Sequence, residues 1–265
     1  MIELNKIYNK DCIEGMKDLY EKYGECIDLC ITDPPYGIEY QSNGSLKKKN
    51  KIINDNKANY KTFGELVYKL LKPNTHAYFF TRFDVYPEHY KQLTEIGFNI
   101  KNLLIAEKMQ VGGLGDLQAS YANNVELIIF AQKGRRKFNE TKLVKTTKPV
   151  GKSPNRYTNP TGKYKKRLPV LWKVSEGYPP AVENSAKNKD NPHPTPKNPL
   201  FLEWLIQLSS NEGDIVLDPF MGSGSTAISC IHTNRKYIGY EIEKEYYDFA
   251  IKRIEKHKGN LLQLQ

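Results

Sequence analysis

Ile27-Asp28-Leu29-Cys30-Ile31-Thr32-Asp33-Pro34-Pro35-Tyr36-Gly37 is the stretch that decides the reading. Its first six residues form a near-continuous apolar run, the pattern of a strand buried on both faces of a parallel sheet. The run then stops at a charged residue, two prolines, an aromatic and a glycine, so a polar loop leaves directly from a buried strand end. Loops at the carboxyl ends of parallel strands are where α/β sheets hold their ligands.

Outward from that stretch, apolar periodicity alternates between two and three-to-four residues. Asn5–Asn9 is a short strand ending at Lys10-Asp11, Phe63–Leu71 has helical spacing stopped at Pro73-Asn74, and His76–Thr81 is the next strand. A helix follows near Pro87–Ile96. Ile100–Ala106 and Val125–Ala131 are two further strands around Gly112-Gly113-Leu114-Gly115. Beyond an extended, proline-rich connector at Asn188–Asn198 come a helix at Asn198–Leu208, a strand at Ile215–Leu217 and a helix opening at Ser225–Ile231. A strand at Tyr237–Tyr240 and a helix at Glu243–Lys256 complete the series. Such alternation implies an open, doubly wound α/β sheet, mostly parallel, with its ligands at the strand ends. Residues 133–192 do not fit it, and are expected to form a small inserted subdomain. The expected division is 1–132, 133–192 and 193–265.

The chain has 265 residues, 39% apolar and 26% charged, enough for one catalytic domain with an insertion. No stretch approaches the roughly 18 consecutive apolar residues of a membrane span. The start, MIELNKIYNK, has no signal-peptide-like apolar run. Cys12, Cys26, Cys30 and Cys230 lack metal-ligand spacing, and the five histidines are scattered singly, so no metal site is expected. Free thiols in a reducing cytoplasm are the expected state.

Net charge is +10, and it is not spread evenly. From Lys133 to Lys173 there are fourteen Lys or Arg against one acid, Glu140, while the remainder carries a net charge of −3. A solvated face is the plain explanation of such a run. Here it is interleaved with Phe138, Tyr157, Tyr164 and Trp172, and broken by prolines and glycines. That combination suits a phosphate backbone with bases to stack on or read, so nucleic acid is the expected partner.

Asp218-Pro219-Phe220-Met221-Gly222-Ser223-Gly224-Ser225-Thr226-Ala227 follows a strand and opens a helix. The glycine spacing lets backbone approach a ligand closely, and the helix start offers N–H groups to an anion. Glu241, at the end of the next strand, is placed to accept hydrogen bonds from ribose hydroxyls. Taken alone, this is a dinucleotide fingerprint, and a nicotinamide-dependent oxidoreductase is the first rival. Asp218 argues against it: a carboxylate there repels a pyrophosphate and favours a cation-bearing nucleoside such as S-adenosylmethionine.

At Asp33-Pro34-Pro35-Tyr36, the two prolines fix the backbone and remove two N–H donors, leaving carbonyl acceptors beside a carboxylate and an aromatic face. A flipped base could stack on Tyr36 while its amino group donates to Asp33 and to the Pro34 carbonyl. An exocyclic amine is a poor nucleophile because its lone pair is delocalised into the ring. Acceptors on both N–H groups favour a pyramidal nitrogen with its lone pair out of plane. Asp33 is also a candidate to take the departing proton. The plain alternative is a proline-rich strand cap with a structural Asp and Tyr.

Together, the Asp33–Tyr36 motif and Phe220-Met221-Gly222-Ser223-Gly224 resemble the amino-methyltransferases of DNA modification, both in motif and in order. The catalytic motif lies near the N-terminus, the cofactor loop near the C-terminus and a basic segment between them, as in the circularly permuted β class. The resemblance covers roughly 1–131 and 193–265. It implies a Rossmann-like, seven-stranded S-adenosylmethionine-dependent fold. Within it Asp33, Pro34, Pro35 and Tyr36 are catalytic, and Asp11, Cys12, Asp33, Thr195, Lys197, Asp218, Phe220, Gly222, Gly224, Ser225, Thr226 and Glu241 hold the cofactor. Asn9-Lys10-Asp11-Cys12 is similar to a short family motif that brings Asp11 to the cofactor adenine. His193-Pro194-Thr195-Pro196-Lys197 is similar to the motif leading to the helix beside the methionine moiety. Two departures are Asn198, where the family often has proline, and Pro196, where glutamine is common. Asp in the first motif position is associated in this family with adenine N6, and serine with cytosine N4, so adenine is the expected base and cytosine the alternative. Partners implied by the resemblance are double-stranded DNA, a homodimer mate and an accompanying restriction endonuclease.

Reaching an amine inside a duplex requires flipping the nucleotide out. Lys47, Lys48 and Lys49 lie in the polar stretch 41–59, expected to close over DNA. Arg135, Arg136, Lys165, Lys166 and Arg167, in the basic segment, are the further DNA-binding candidates. An incidental charge run, an RNA substrate and a non-catalytic DNA-binding protein are the remaining alternatives.

Overall fold

The computed structural model describes residues 3–36, 60–108, 124–139, 170–172 and 196–262. Within these residues eight strands form one sheet. They are β1 (Lys6–Tyr8), β2 (Ile27–Thr32), β3 (Leu71–Thr81), β4 (Asn99–Glu107), β5 (Val125–Lys133), β6 (Leu171–Trp172), β7 (Ile215–Asp218) and β8 (Lys236–Tyr240), in the spatial order β1-β8-β7-β2-β3-β5-β4-β6. Every ladder is parallel except the two that flank β5, which runs against both β3 and β4. The helices are α1 (Cys12–Tyr23), α2 (Tyr60–Leu70), α3 (Tyr86–Ile96), α4 (Pro199–Ser209), α5 (Ser225–His232) and α6 (Lys244–Leu262). None of them is long and apolar enough to cross a membrane.

Alternation along each strand builds two cores. Leu29, Ile31, Tyr78, Phe80, Ile128, Phe130 and Val216 face α4, α5 and α6. Their neighbours Cys30, Phe79, Ile129 and Leu217 face α1, α2 and α3. Central strands buried on both faces therefore need continuous apolar sequence, as IDLCIT, AYFFT and LIIFA provide. All four cysteines are buried within these cores and free of disulfides.

The chain leaves β2 through α2 to β3 on one side, and leaves β7 through α5 to β8 on the other. β2 and β7 are hydrogen-bonded neighbours, with Cys30 level with Leu217. The direction of winding reverses between them, and at such a switch point the diverging loops leave a crevice beyond the strand ends.

The structure differs from the sequence-based expectation in three places. There are eight strands rather than seven, because β6 pairs with β4 and lies inside the expected insert. Trp172 is 3% exposed, its ring 4.6 Å from Trp204 and 5.8 Å from Phe201, so apolar burial draws this short piece onto the sheet. At the other end of the insert, the Asn139 side chain donates to the carbonyls of Gln207 and Ser210 and its amide to Leu208, binding residues up to 139 to α4. Finally, α1, for which no helix was expected, is capped by Asp11, whose Oδ1 accepts from the amides of Ile13 (2.8 Å) and Glu14.

Candidate active site

Asp33 leaves the end of β2, and the glycine loop leaves the end of β7. The two meet in one cleft, lined among others by Thr32, Asp33, Lys197, Asp218, Gly222 and Thr226. Its volume is about 430 Å³, including the solvent-open mouth.

The loop is shaped by backbone conformations that favour glycine. Gly222 and Gly224 have φ of 52° and 81°, in the left-handed region. A side chain at Gly224 would also have its Cβ 3.1 Å from that of Ala250 on α6. The Gly222 amide donates to Glu241 Oε2 at 2.8 Å, and the Glu243 amide to Oε1 at 2.9 Å. Arg253 reaches in from α6 to donate to the Ser223 carbonyl and the Ser225 hydroxyl.

Asp218 closes the floor. Its Oδ2 accepts from the Thr226 hydroxyl at 2.6 Å and its Oδ1 from the Phe220 amide at 3.1 Å. Burial pushes its carboxyl up to about 7, with the charges of Asp33 and Glu241 adding in the same direction. Burial likewise raises Glu241, against the two amides that favour its charged form. Asp33 and Asp218 thus line one cleft, with Glu241 bonded to its Gly222, an arrangement a cationic ligand relieves. The Thr32 hydroxyl, buried at the cleft wall, has no hydrogen-bond partner among the described residues.

On the opposite wall, the Tyr36 hydroxyl donates to Asp33 Oδ1 at 2.5 Å. Burial first, and then the charge of Asp33, hold that phenol well above its ordinary value, so it stays a neutral donor. Behind it, His89 stacks on Tyr60 with ring centroids 3.6 Å apart and bonds Thr81 through Nδ1. Lys197 lies 2.8 Å from Asp33 Oδ2 and 3.7 Å from Glu126 Oε1, and Lys108 lies 2.8 Å from Glu126. The backbone holds Lys197 in place: Asn198 caps α4 through its side chain, and the Ser225 hydroxyl donates to the Lys197 carbonyl.

The structure therefore gathers Asp33, Tyr36, Lys197, Asp218, Phe220, Gly222, Ser225, Thr226 and Glu241 around one site. Pro34 and Pro35 follow Asp33 on the same loop, and Gly224 ends the glycine loop. Asp11 and Cys12 follow β1 beside Glu241, where the Asn9 side chain donates to the Glu241 carbonyl at 2.8 Å. Burial raises the Cys12 thiol to about 12, which leaves it uncharged. Arg135 and Arg136 are not brought to the cleft. Lys133 is level with Thr75 at the amino end of β3, so both arginines lie at the end of the sheet opposite Asp33. There the Arg135 amide bonds Asn74, and the Arg136 carbonyl faces the buried His76. The inverted direction of β5 is the reason. Thr195, Lys47, Lys48, Lys49, Lys165, Lys166 and Arg167 lie outside the described residues. Sequence reasoning missed Glu126 and Lys108. The available signal was a single acid, second in the otherwise apolar strand VELIIFA, whose antiparallel direction brings Glu126 beside Lys197.

A model of the N6/N4 family, described as DNA methylase, matches residues 27–252. The chain belongs to the N6/N4 DNA methyltransferase family. It is 30% identical over 250 residues to the type II methyltransferase M.HpaI of Haemophilus parainfluenzae, covering 92% of this chain and 72% of that protein. The crystal structure of an M1.HpyAVI–SAM complex matches with a TM-score of 0.65 at 27% identity, over 94% and 98% of the two chains. The cytosine-N4-specific PvuII DNA methyltransferase matches at 0.62, over 93% and 84%, and at 18% identity that is a likeness of fold alone. The protein is thus an enzyme that methylates DNA.

Proposed function

We propose that the enzyme methylates the N6 amino group of a flipped adenine in duplex DNA, within the cleft between Asp33 and Gly222. The observation that carries this reading is the shared cleft itself, with an acceptor ledge on one wall and an acid-lined glycine loop on the other.

The methyl donor is S-adenosylmethionine, which supplies an electrophilic methyl group on a sulfonium. The donor set suits it: the acids at Asp218, Glu241 and Asp33 favour its positive charges, and the start of α5 offers amides to its carboxylate. Each oxygen of Glu241 accepts one backbone N–H and keeps a second lone pair for a ribose hydroxyl. Asp33 and the Pro34 carbonyl accept the two N–H groups of the target amine. Asp33 also faces the positive charge that develops on the nitrogen as it gains a methyl group. Tyr36 and Lys197 fix the Asp33 carboxylate from two sides, which limits its freedom to rotate away.

Adenine is preferred because an aspartate occupies the first position of the motif. The experiment is to incubate the purified protein with labelled donor and varied duplexes, digest the DNA and identify the labelled nucleoside. N6-methyladenine supports the reading; N4-methylcytosine transfers it to the other base, and no labelled base overturns it.

A further inference from the structure

The glycine loop and α6 meet through two small residues, Gly224 and Ala250, so the helix presses directly on the loop. Arg253 lies three residues beyond Ala250 on the same face of α6, and its guanidinium reaches the loop from behind. Its Nη1 donates to the Ser223 carbonyl at 3.0 Å, to the Ser223 hydroxyl at 3.2 Å and to the Ser225 hydroxyl at 3.1 Å. Ser225 is the first residue of α5, and both serines line the cleft. The Ser225 hydroxyl in turn donates to the Lys197 carbonyl at 2.7 Å, so one chain of hydrogen bonds joins α6, the start of α5 and the segment before α4. Among the described residues no carboxylate pairs with Arg253. Burial alone shifts the guanidinium, lowering it, and an arginine stays charged all the same. A half-buried cation without a counter-ion, set behind a ligand loop, is matched by an anion that arrives with the ligand.

We propose that Arg253 is a positioning residue for the carboxylate of the methyl donor: it fixes the turn from Ser223 to Ser225 so that the first amides of α5 face the cleft, and it supplies a positive charge behind them. The inference rests on the reading of the start of α5 as the carboxylate site. Asp33 and Asp218 attract the sulfonium and the amine of the donor, and by the same charge they repel its carboxylate. The helix start opposes that repulsion with about half a charge, and Arg253 adds a whole one. Lys197 also lines the cleft, but its ammonium stands against Asp33 at 2.8 Å. The plain alternative is that Arg253 only ties α6 to the loop. The two roles separate on the ligand: a lost tie weakens every ligand of the loop, whereas a lost charge weakens the one that carries a carboxylate.

The test uses the full chain as Arg253→Met, Arg253→Lys and, on the neighbouring exposed position of α6, Lys252→Met. The first readout needs no turnover, namely the ratio of affinities for S-adenosylmethionine and its decarboxylated form by calorimetry. The two ligands share the sulfonium and the amine and differ in the carboxylate. Arg253→Met is expected to lower that ratio roughly three- to tenfold, and Arg253→Lys to recover part of the loss. Lys252→Met, which removes a solvent-screened charge, is expected to leave the ratio at its wild-type value. The second readout is steady-state kinetics on duplex DNA. In Arg253→Met, KM for the donor is expected to rise roughly three- to tenfold, while kcat at saturating donor stays within about threefold of wild type. A wild-type ratio in Arg253→Met overturns the proposal, as does a parallel loss of affinity for both ligands or an equal shift in Lys252→Met. If Arg253→Met does not fold, Arg253→Gln, which keeps N–H donors and removes the charge, decides by the same ratio. A wild-type enzyme that labels no DNA base sinks the proposed reaction, and the ratio, measured without DNA, still decides the role of Arg253.

Discussion

The amide of Gly222 donates to Glu241 at 2.8 Å, so the glycine loop after β7 is tied to the end of β8 by a carboxylate. The acid expected to serve a ribose also organises the loop that receives the rest of the ligand.

Replacing Glu241 by alanine should therefore cost stability as well as affinity. Two charge-assisted bonds to backbone amides are lost, and about 2–4 kcal/mol is expected by urea unfolding without ligand. A variant as stable as wild type that binds the donor poorly would confine Glu241 to ligand contact.

Asp218 is expected to make donor binding pH-dependent. Its folded-state value, about 7, lies above its ordinary 3.8. Below about pH 4 it is protonated in both folded and unfolded chains. Between about 4 and 7 the folded chain holds the proton more tightly, so that stabilising contribution fades as the pH rises through about 7. A cationic ligand favours the ionised form, so affinity for S-adenosylmethionine should increase from pH 6 to 8. Calorimetry across that range is the check, and Asp218→Asn should flatten the profile.

Asp33 contributes to that titration. Because its charge is one cause of the raised Asp218 value, Asp33→Asn should shift the midpoint of the donor-binding profile to lower pH. The same variant should reduce kcat by roughly 10²–10³-fold, leaving the donor bound. An unshifted midpoint would mean that the two carboxyl groups do not sense each other.

Arg135 belongs to the far end of the sheet. Arg135→Ala should leave both the affinity for a cognate duplex and its log–log dependence on salt unchanged. Removing a true phosphate contact would reduce that slope by about 0.9. Filter binding at several salt concentrations distinguishes the two outcomes.

The core was legible because burial on both faces demands apolar sequence. IDLCIT coincides with β2, and Ile215–Leu217 and Tyr237–Tyr240 fall within one residue of β7 and β8 at each end. The two motif loops were legible because proline and glycine restrict or free the backbone locally, whatever the tertiary context. Less visible was anything set by strand direction. Nothing in VELIIFA states that it runs against its neighbours, yet that direction brings Glu126 beside Lys197 and carries Arg135 and Arg136 away. Leu171-Trp172 was hidden for a different reason: two residues make too short a period to read, and their place is set by β4, Trp204 and Phe201.

The anchoring of Asn139 and Trp172 has a practical corollary for engineering. A chimera that exchanges the central basic segment with that of a relative should keep the host sequence through Asn139 and resume it at Val170. Junctions at 133 and 192 would discard the Asn139 clasp on α4 and the indole against Trp204, so the graft would fail for want of a foundation, whatever site the transplanted residues read.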